Sequence, residues 1–570
     1  MNRRAGMGWC TALLIHIGVS GILADDADRN VWILLRDKMD AEGQRVVWRD
    51  LGAEREDADL DLPVDRTYIE RLRSLGVEVR ARSRWLNAIS ARVSPDVQRA
   101  VLAQDFVREV RPVRRMRRPA PPETAPILPL ASGKEMRTQS AQQDLYGASF
   151  EQIAQIGVIP LHDRGFTGTG VRIAVLDNGF HYVEHEGFGE EFRLVAQRDF
   201  VNGDKVVSDE VDQPVSGDEA QNSQNIHGAQ VLSLLAAYQP GRFIGVAPDA
   251  EYILAKTEDN QTELPVEEDR WIAGLEWADS LGAKIVNSSL GYNIWDDGSG
   301  YAREDLDGAT ALTSRAAALA VRRGIVVVVA AGNEAQVAWH YITAPADAEG
   351  VIAVGSVDVP VGGVRTPEIA VSSSRGPTAD GRIKPDVVAP GNGVVVANLR
   401  RGDYTRNTGT SFAAPLVSGV CALLLQMHPE WGPAEVLEAL RSTALDLGEA
   451  GPDTVYGWGQ VNALAASGLE VVLPGEHALL SPFPNPASNG LVHFPVQLAE
   501  RDEVELSVFD LAGNLIFTER WQLLAGVHDR PGRAPRWAPG GAIADGLYYY
   551  RMRTSDFTRS GKVALLRRAP

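Results

Sequence analysis

Gly409-Thr410-Ser411-Phe412-Ala413-Ala414-Pro415 decides how the rest of the chain is read. It sets a serine at the head of an apolar, helix-compatible run over 411–427 that is broken early by Pro415. A serine hydroxyl is a poor nucleophile until a base takes its proton, so this stretch alone assigns no chemistry. Two others offer the missing partners. Val171-Arg172-Ile173-Ala174-Val175-Leu176-Asp177-Asn178-Gly179 reads as a buried strand delivering Asp177 to its C-terminal end. Asn225-Ile226-His227-Gly228-Ala229-Gln230 reads as a glycine-loosened turn that feeds His227 into a helix over 231–237. Singly, each has an ordinary reading: an aspartate after a strand is commonly a cap, and such polar residues commonly form turns.

The order Asp, His, Ser is one of three chain orders that build the same triad geometry. With their flanking residues the three segments resemble the subtilisin-like serine proteases over residues 147–468. The resemblance implies that Ser411 attacks the peptide carbonyl, His227 relays its proton and Asp177 holds the imidazole. A strand over 325–330 leads into Ala331-Gly332-Asn333-Glu334, and the resemblance makes Asn333 the donor to the oxyanion. Loss of such a donor costs about 10²–10³ in turnover in a member of that family. It also implies that Ser289-Leu290-Gly291 pairs with the substrate backbone as an added strand. The resemblance also places Gly332 in the facing wall and Thr343 near the base of the first specificity pocket. The walls read as uncharged, which points to an uncharged, apolar side chain before the cut bond.

The chain departs from the family where Asn178 replaces the common Ser or Thr, and where His227-Gly228-Ala229-Gln230 replaces His-Gly-Thr-His. Neither change removes a reacting group. Asp177 and His227 are 50 residues apart, and the acidic stretch over 203–224 fills the interval as a solvated insertion. It offers oxygens, so a structural calcium ion stays open, but no loop has recognisable calcium spacing and no metal ligand is assigned. The chemistry itself requires no cofactor.

At 570 residues the chain has room for about three domains. A net charge of −19 disfavours nucleic acid or an anionic membrane as partner. Residues 1–24 have the layout of a signal peptide: Arg3 and Arg4, an apolar middle, then Ala24 before Asp25-Asp26. No later segment reads as long and apolar enough to anchor the chain in a membrane. Of two cysteines, Cys10 lies in the leader and Cys421 reads as a buried core residue.

Residues 25–118 read as a β-α-β-β-α-β module: strands over 31–35, 77–82, 85–93 and 106–113, helices over 67–75 and 95–104. In that position it resembles the family's inhibitory propeptide. Residues 119–146 read as a proline-rich linker, in which the resemblance to a propeptide implies a processing site. Within 147–468, strands over 172–176, 252–256, 284–287, 325–330 and 351–356 alternate with helices over 271–281, 312–323, 411–427 and 434–443. Alternation of this kind implies an α/β fold, a largely parallel sheet flanked by helices. Residues 475–570 switch to strand patterning over 504–510, 513–518, 547–553 and 562–567, implying a small β-sandwich. Its Pro484-Asn485-Pro486 entry and Asp545-Gly546-Leu547-Tyr548-Tyr549-Tyr550 resemble the type IX secretion sorting domain and the immunoglobulin-like domain of flagellar hook-capping proteins.

The resemblances together imply a secreted or cell-surface bacterial serine endopeptidase, made as a self-processed zymogen. Its partners would be protein or peptide substrates, its own propeptide and, through the C-terminal domain, secretion machinery. The alternatives are an inactive or narrowly specific surface protein of the same fold, and a tripeptidyl-peptidase.

Overall fold

The computed structural model describes residues 29–40, 43–47, 60–112, 141–182, 185–208, 226–259, 264–294, 300–359, 366–469 and most of 478–565. The leader, most of the linker, the insertion from 209 onward and most of the proline-rich entry near 482–489 lie outside the described residues.

The first module is a four-stranded antiparallel sheet with two helices: β1 (Arg29–Leu35), α1 (Arg66–Ser74), β2 (Glu78–Ser83), β3 (Ala88–Val93), α2 (Pro95–Leu102) and β4 (Val107–Pro112). The sheet order is β2-β3-β1-β4, all antiparallel. α1 begins where the Asp65 side chain accepts from Thr67 N, and α2 where Ser94 accepts from Val97 N, both side-chain caps on otherwise orphaned donors. One face of the sheet closes a local core around Ile33, Leu72, Ile89 and Phe106. The other presents Trp32, Leu34, Trp85 and Leu86 to the next domain.

That domain is built on β5 (Arg172–Asp177), β6 (Arg193–Asp199), α3 (Ile226–Ala236), β7 (Glu251–Lys256), α4 (Val266–Ser280), β8 (Ile285–Ser288), α5 (Leu312–Arg322), β9 (Val326–Ala330), β10 (Ile352–Asp358), β11 (Val387–Asn398), β12 (Asp403–Thr408), α6 (Thr410–Met427) and α7 (Pro433–Ser442). Eight strands run in the order β12-β11-β10-β9-β8-β5-β7-β6, parallel except for the β11–β12 pair. Strand residues alternate between two cores. Ile173 and Val175 face α3, α6 and α7, while Ala174 and Leu176 face α4 and α5. The chain leaves β5 for β7 and β6 on one side and returns as β8 on the other. Ligand crevices in such sheets open beyond the strand ends at this kind of switch, and Asp177 sits there.

Four expectations are corrected. The histidine's helix starts at Ile226, not 231, so His227 lies in its first turn. α4 starts at Val266 rather than 271, because Glu267, Glu268 and Asp269 occupy its first turn, where carboxylates suit the helix dipole. Pro415 does not break α6. A proline lacks the N–H that would bond the carbonyl four residues earlier, which is that of Ser411, and Ser289 Oγ donates to that oxygen instead at 2.8 Å. Finally, α6 is by length and composition apolar enough to span a membrane, yet 94% of it is buried inside the domain, as a core helix. Cys421 lies on it, fully buried, with its thiol pushed up by burial.

The C-terminal module has β13 (Asp502–Phe509), β14 (Leu515–Leu523), β15 (Gly546–Arg553) and β16 (Thr558–Leu565) in an antiparallel sheet ordered β14-β13-β15-β16. Shorter antiparallel pairs carrying Val492, Val496 and Trp537, with Phe494 between them, close a single core over its inner face with Val508, Tyr550 and Met552.

Candidate active site

Asp177 ends β5 with its carboxylate fully buried. Its Oδ1 accepts from the Asn178 N–H at 2.8 Å and meets His227 Nδ1 at 2.7 Å. A buried carboxylate against Nδ1 fixes the imidazole with its proton on that side and turns Nε2 outward. His227 is about one third exposed. Burial works against its charged form, but the Asp177 charge and hydrogen bond outweigh it, so its pKa is raised above the ordinary 6.5.

Two residues that the sequence reading treated only as departure and turn hold this pair in register. Asn178 Oδ1 accepts from Gly228 N at 3.0 Å, so a side chain just after β5 satisfies one of the unpaired donors in the first turn of α3. Gly228 must be glycine for reasons of space: a Cβ there would lie 2.3 Å from Gly179 O and 3.0 Å from Asp177 Cβ. The histidine turn therefore presses directly onto the aspartate strand.

Ser411 is the second residue of α6, and its ring neighbour Phe412 lies 5.4 Å from the His227 ring, centroid to centroid. Ser411 Oγ has no hydrogen bond among the described residues; such bonds are often long before substrate arrives. Asn333 lies just beyond β9, exposed. Its Oδ1 accepts from Thr410 N at 2.9 Å and from Thr410 Oγ1 at 3.2 Å, which leaves Nδ2 as its outward face. Gly409 lies close to both groups: a Cβ there would be 2.9 Å from Ser411 Oγ and 3.6 Å from Asn333 Nδ2.

The two walls are tied to the same helix. Gly332 N donates to Thr410 Oγ1 at 3.2 Å. Ser289 Oγ is committed to the Ser411 carbonyl and also accepts from Asn287 Nδ2 at 3.1 Å, while Asn287 Oδ1 accepts from Ser418 at 2.8 Å. Ser289 thus orients the helix, and the exposed Gly291 and half-buried Leu290 form the lip. Behind the lip, Tyr292 donates to the buried Glu258 at 2.5 Å, a carboxylate the sequence reading did not associate with this wall. Thr343 is buried between the walls. These contacts tie Asp177 to His227, tie Asn333, Gly332 and Ser289 to the start of α6, where Ser411 lies, and set Thr343 between Gly291 and Gly332. Thr410, Asn178 and Asn287 were missed, although each is a polar residue at the end of an apolar run. Among the described residues no group of three or more His, Cys, Asp or Glu could hold a metal.

The Subtilase family model matches residues 168–459. The Peptidase S8 propeptide domain of Bacteroidota matches residues 53–125, which include most of the first module. Subtilisin of Bacillus pumilus is 31% identical over 318 residues, spanning 55% of this chain and 97% of that protein. Subtilisin E of Bacillus subtilis (strain 168) is 31% identical over 318 residues, 55% of this chain and 70% of that protein. Serine protease AprX of the same organism is 30% identical over 312 residues, 52% of this chain and 66% of that protein. This chain carries a family propeptide and belongs to the subtilase family of serine peptidases.

Proposed function

We propose that this chain is an endopeptidase that works by acyl transfer through Asp177, His227 and Ser411. The observation that carries the reading is the 2.7 Å contact between His227 Nδ1 and a fully buried Asp177, on the turn that adjoins the helix of Ser411. Ser411 Oγ attacks the scissile carbonyl as its proton passes to His227 Nε2. The negative oxygen is received by Asn333 Nδ2 and by the Ser411 N–H at the start of α6, where backbone donors are unpaired. The protonated His227, stabilised by Asp177, then gives its proton to the leaving amine, and water repeats the sequence on the acyl-enzyme. Backbone groups of 289–291 and 330–332 hold the substrate as an added strand.

The same reading makes the first module an inhibitory propeptide that the enzyme removes itself, and the leader an export signal. The C-terminal sheet, which has its own core, is a sorting module dispensable for chemistry. Ser411→Ala tests the assignment. Peptide hydrolysis and labelling by serine-directed phosphonates should vanish while the fold is kept, and the propeptide should remain covalently attached. Undiminished turnover sinks the triad; normal processing in a protease-deficient host sinks self-cleavage. A chain ending at Gly468 should hydrolyse small peptides at close to the full rate but fail to leave its native host.

A further inference from the structure

Thr343 stands where the two walls of the crevice meet. Its N–H donates to Ala331 O at 3.1 Å, and the next residue, Ala344, exchanges both backbone hydrogen bonds with Tyr292 at 3.0 and 2.7 Å. The segment therefore bridges one wall to the other. The Thr343 side chain is 3% exposed and lies between the wall glycines. A Cβ on Gly291 would come 2.1 Å from Thr343 Oγ1, and one on Gly332 would come 3.1 Å from both Oγ1 and Cγ2. Thr343 already fills the space that a side chain on either wall would need, so the crevice between them bottoms out on this residue. Its Oγ1 has no hydrogen-bond partner among the described residues. By contrast the neighbouring Ser374 Oγ is engaged, accepting from Glu334 N at 2.9 Å. A buried hydroxyl left unpaired is costly, and a donor or acceptor entering the crevice would relieve it.

We propose that Thr343, at the base of the pocket that the resemblance implies, makes the enzyme take a small side chain, preferably one with a hydroxyl, immediately before the cut bond. Serine is favoured over alanine, and both over leucine or phenylalanine. This rests on the acyl-transfer reading above and replaces simple apolarity with size and hydrogen bonding as the basis of selection.

The test uses the full processed enzyme and a peptide series that differs only at that residue. kcat/KM is expressed per active site titrated with a serine-directed phosphonate. Serine and alanine peptides should exceed leucine and phenylalanine peptides by about tenfold or more, the scale on which a pocket resolves a misfitting group. Thr343→Gly should raise kcat/KM for the phenylalanine peptide by about tenfold or more and lower it for the serine peptide. Thr343→Val, alike in shape but without the hydroxyl, should still exclude phenylalanine while serine loses its advantage over alanine. A wild-type preference for phenylalanine, or an unchanged serine-to-alanine ratio in Thr343→Val, overturns the proposal even if Thr343→Gly fails to fold. Failure of the wild-type enzyme to titrate at Ser411 overturns the peptidase reading instead.

Discussion

Asp177 on one side of the molecule and the Asp269–Glu276 pair on α4 are all buried carboxylates, yet they are buried by different means. Asp177 is enclosed by its own domain: β5 beneath it, Gly228 pressed against its Cβ and His227 on its Oδ1. Asp269 and Glu276 are enclosed by a segment that the family removes. Glu276 accepts from Ser83 Oγ at 2.6 Å, from Trp85 N at 3.3 Å and from Arg84 N at 3.2 Å, and Asp269 accepts from Ser90 Oγ and faces Arg80 at 3.9 Å. Around them Trp32, Leu34, Trp85 and Leu86 share one apolar core with α4 and α5, and Arg323 lies over the Trp85 ring. A carboxylate taken from water needs replacement donors. At Asp177 those donors belong to the domain itself and, in the proposed mechanism, serve chemistry; on α4 they belong to the propeptide and would leave with it.

The sharpest way to break this contrast is at the permanent site. Asp177→Asn should lower kcat by about 10⁴, because the amide NH2 can donate to Nδ1 and hold the imidazole in the wrong tautomer. The pH profile separates this from simple damage. Activity requires neutral His227, and Asp177 holds its pKa above 6.5, so wild-type activity should reach half its maximum above that pH. In Asp177→Asn the acid limb of the residual activity should move to lower pH. An unmoved limb would mean that the 2.7 Å contact does not govern the base.

At the removable site the effect should be smaller and should fall on release rather than turnover. Glu276→Ala leaves Ser83, Arg84 and Trp85 donors without their acceptor, and losing one partner of such a buried charged cluster costs at least about 2 kcal/mol, roughly 30-fold in dissociation. The cleaved propeptide should then elute away from the enzyme on size-exclusion, and the lag before peptide hydrolysis should shorten, with kcat unchanged once active. A changed kcat with an unchanged lag would place Glu276 in the catalytic machinery instead.

The difference between the two regions also sets what the sequence makes legible. The strands that end at Asp177 and lead to Asn333 are built on apolar runs buried on both faces, and their reading survives to within a residue at each end. β6, β11 and β12 went unread. β6 is a largely exposed edge with charged ends, β11 is interrupted by Pro390, Gly391 and Gly393, and β12 is the polar run Asp403-Tyr404-Thr405-Arg406-Asn407-Thr408. The residues proposed as nucleophile, base and orienting acid stood out because such chemistry restricts residue type. Asn178, Thr410 and Asn287 act through hydrogen bonds between elements far apart in the chain, which no local pattern encodes. The interface on α4 was unreadable for a related reason: Glu267, Glu268 and Asp269 look like a solvated loop until the contacts that bury them are known.

The smallest expected effect concerns protons. Burial under the propeptide raises the Asp269 carboxyl from 3.8 to about 6, with Ser90 and Arg80 opposing the rise only in part, and burial also raises Glu276. Uncovered, Asp269 returns toward its ordinary value, since the groups that desolvate it have left. The bound state therefore holds a proton that the free state releases between about pH 4 and 6, so binding is favoured at low pH and weakened as pH rises through about 6. For one group with these values, retention of the cleaved propeptide should be roughly tenfold tighter at pH 5 than at pH 7. Size-exclusion of the processed complex at the two pH values measures it, and Asp269→Asn should flatten the dependence without abolishing binding, because an amide can still accept from Ser90. Equal or greater release at pH 5 would show that the arginines hold Asp269 ionised in the complex, making the α4 interface an ion-pair lock rather than a proton-linked one.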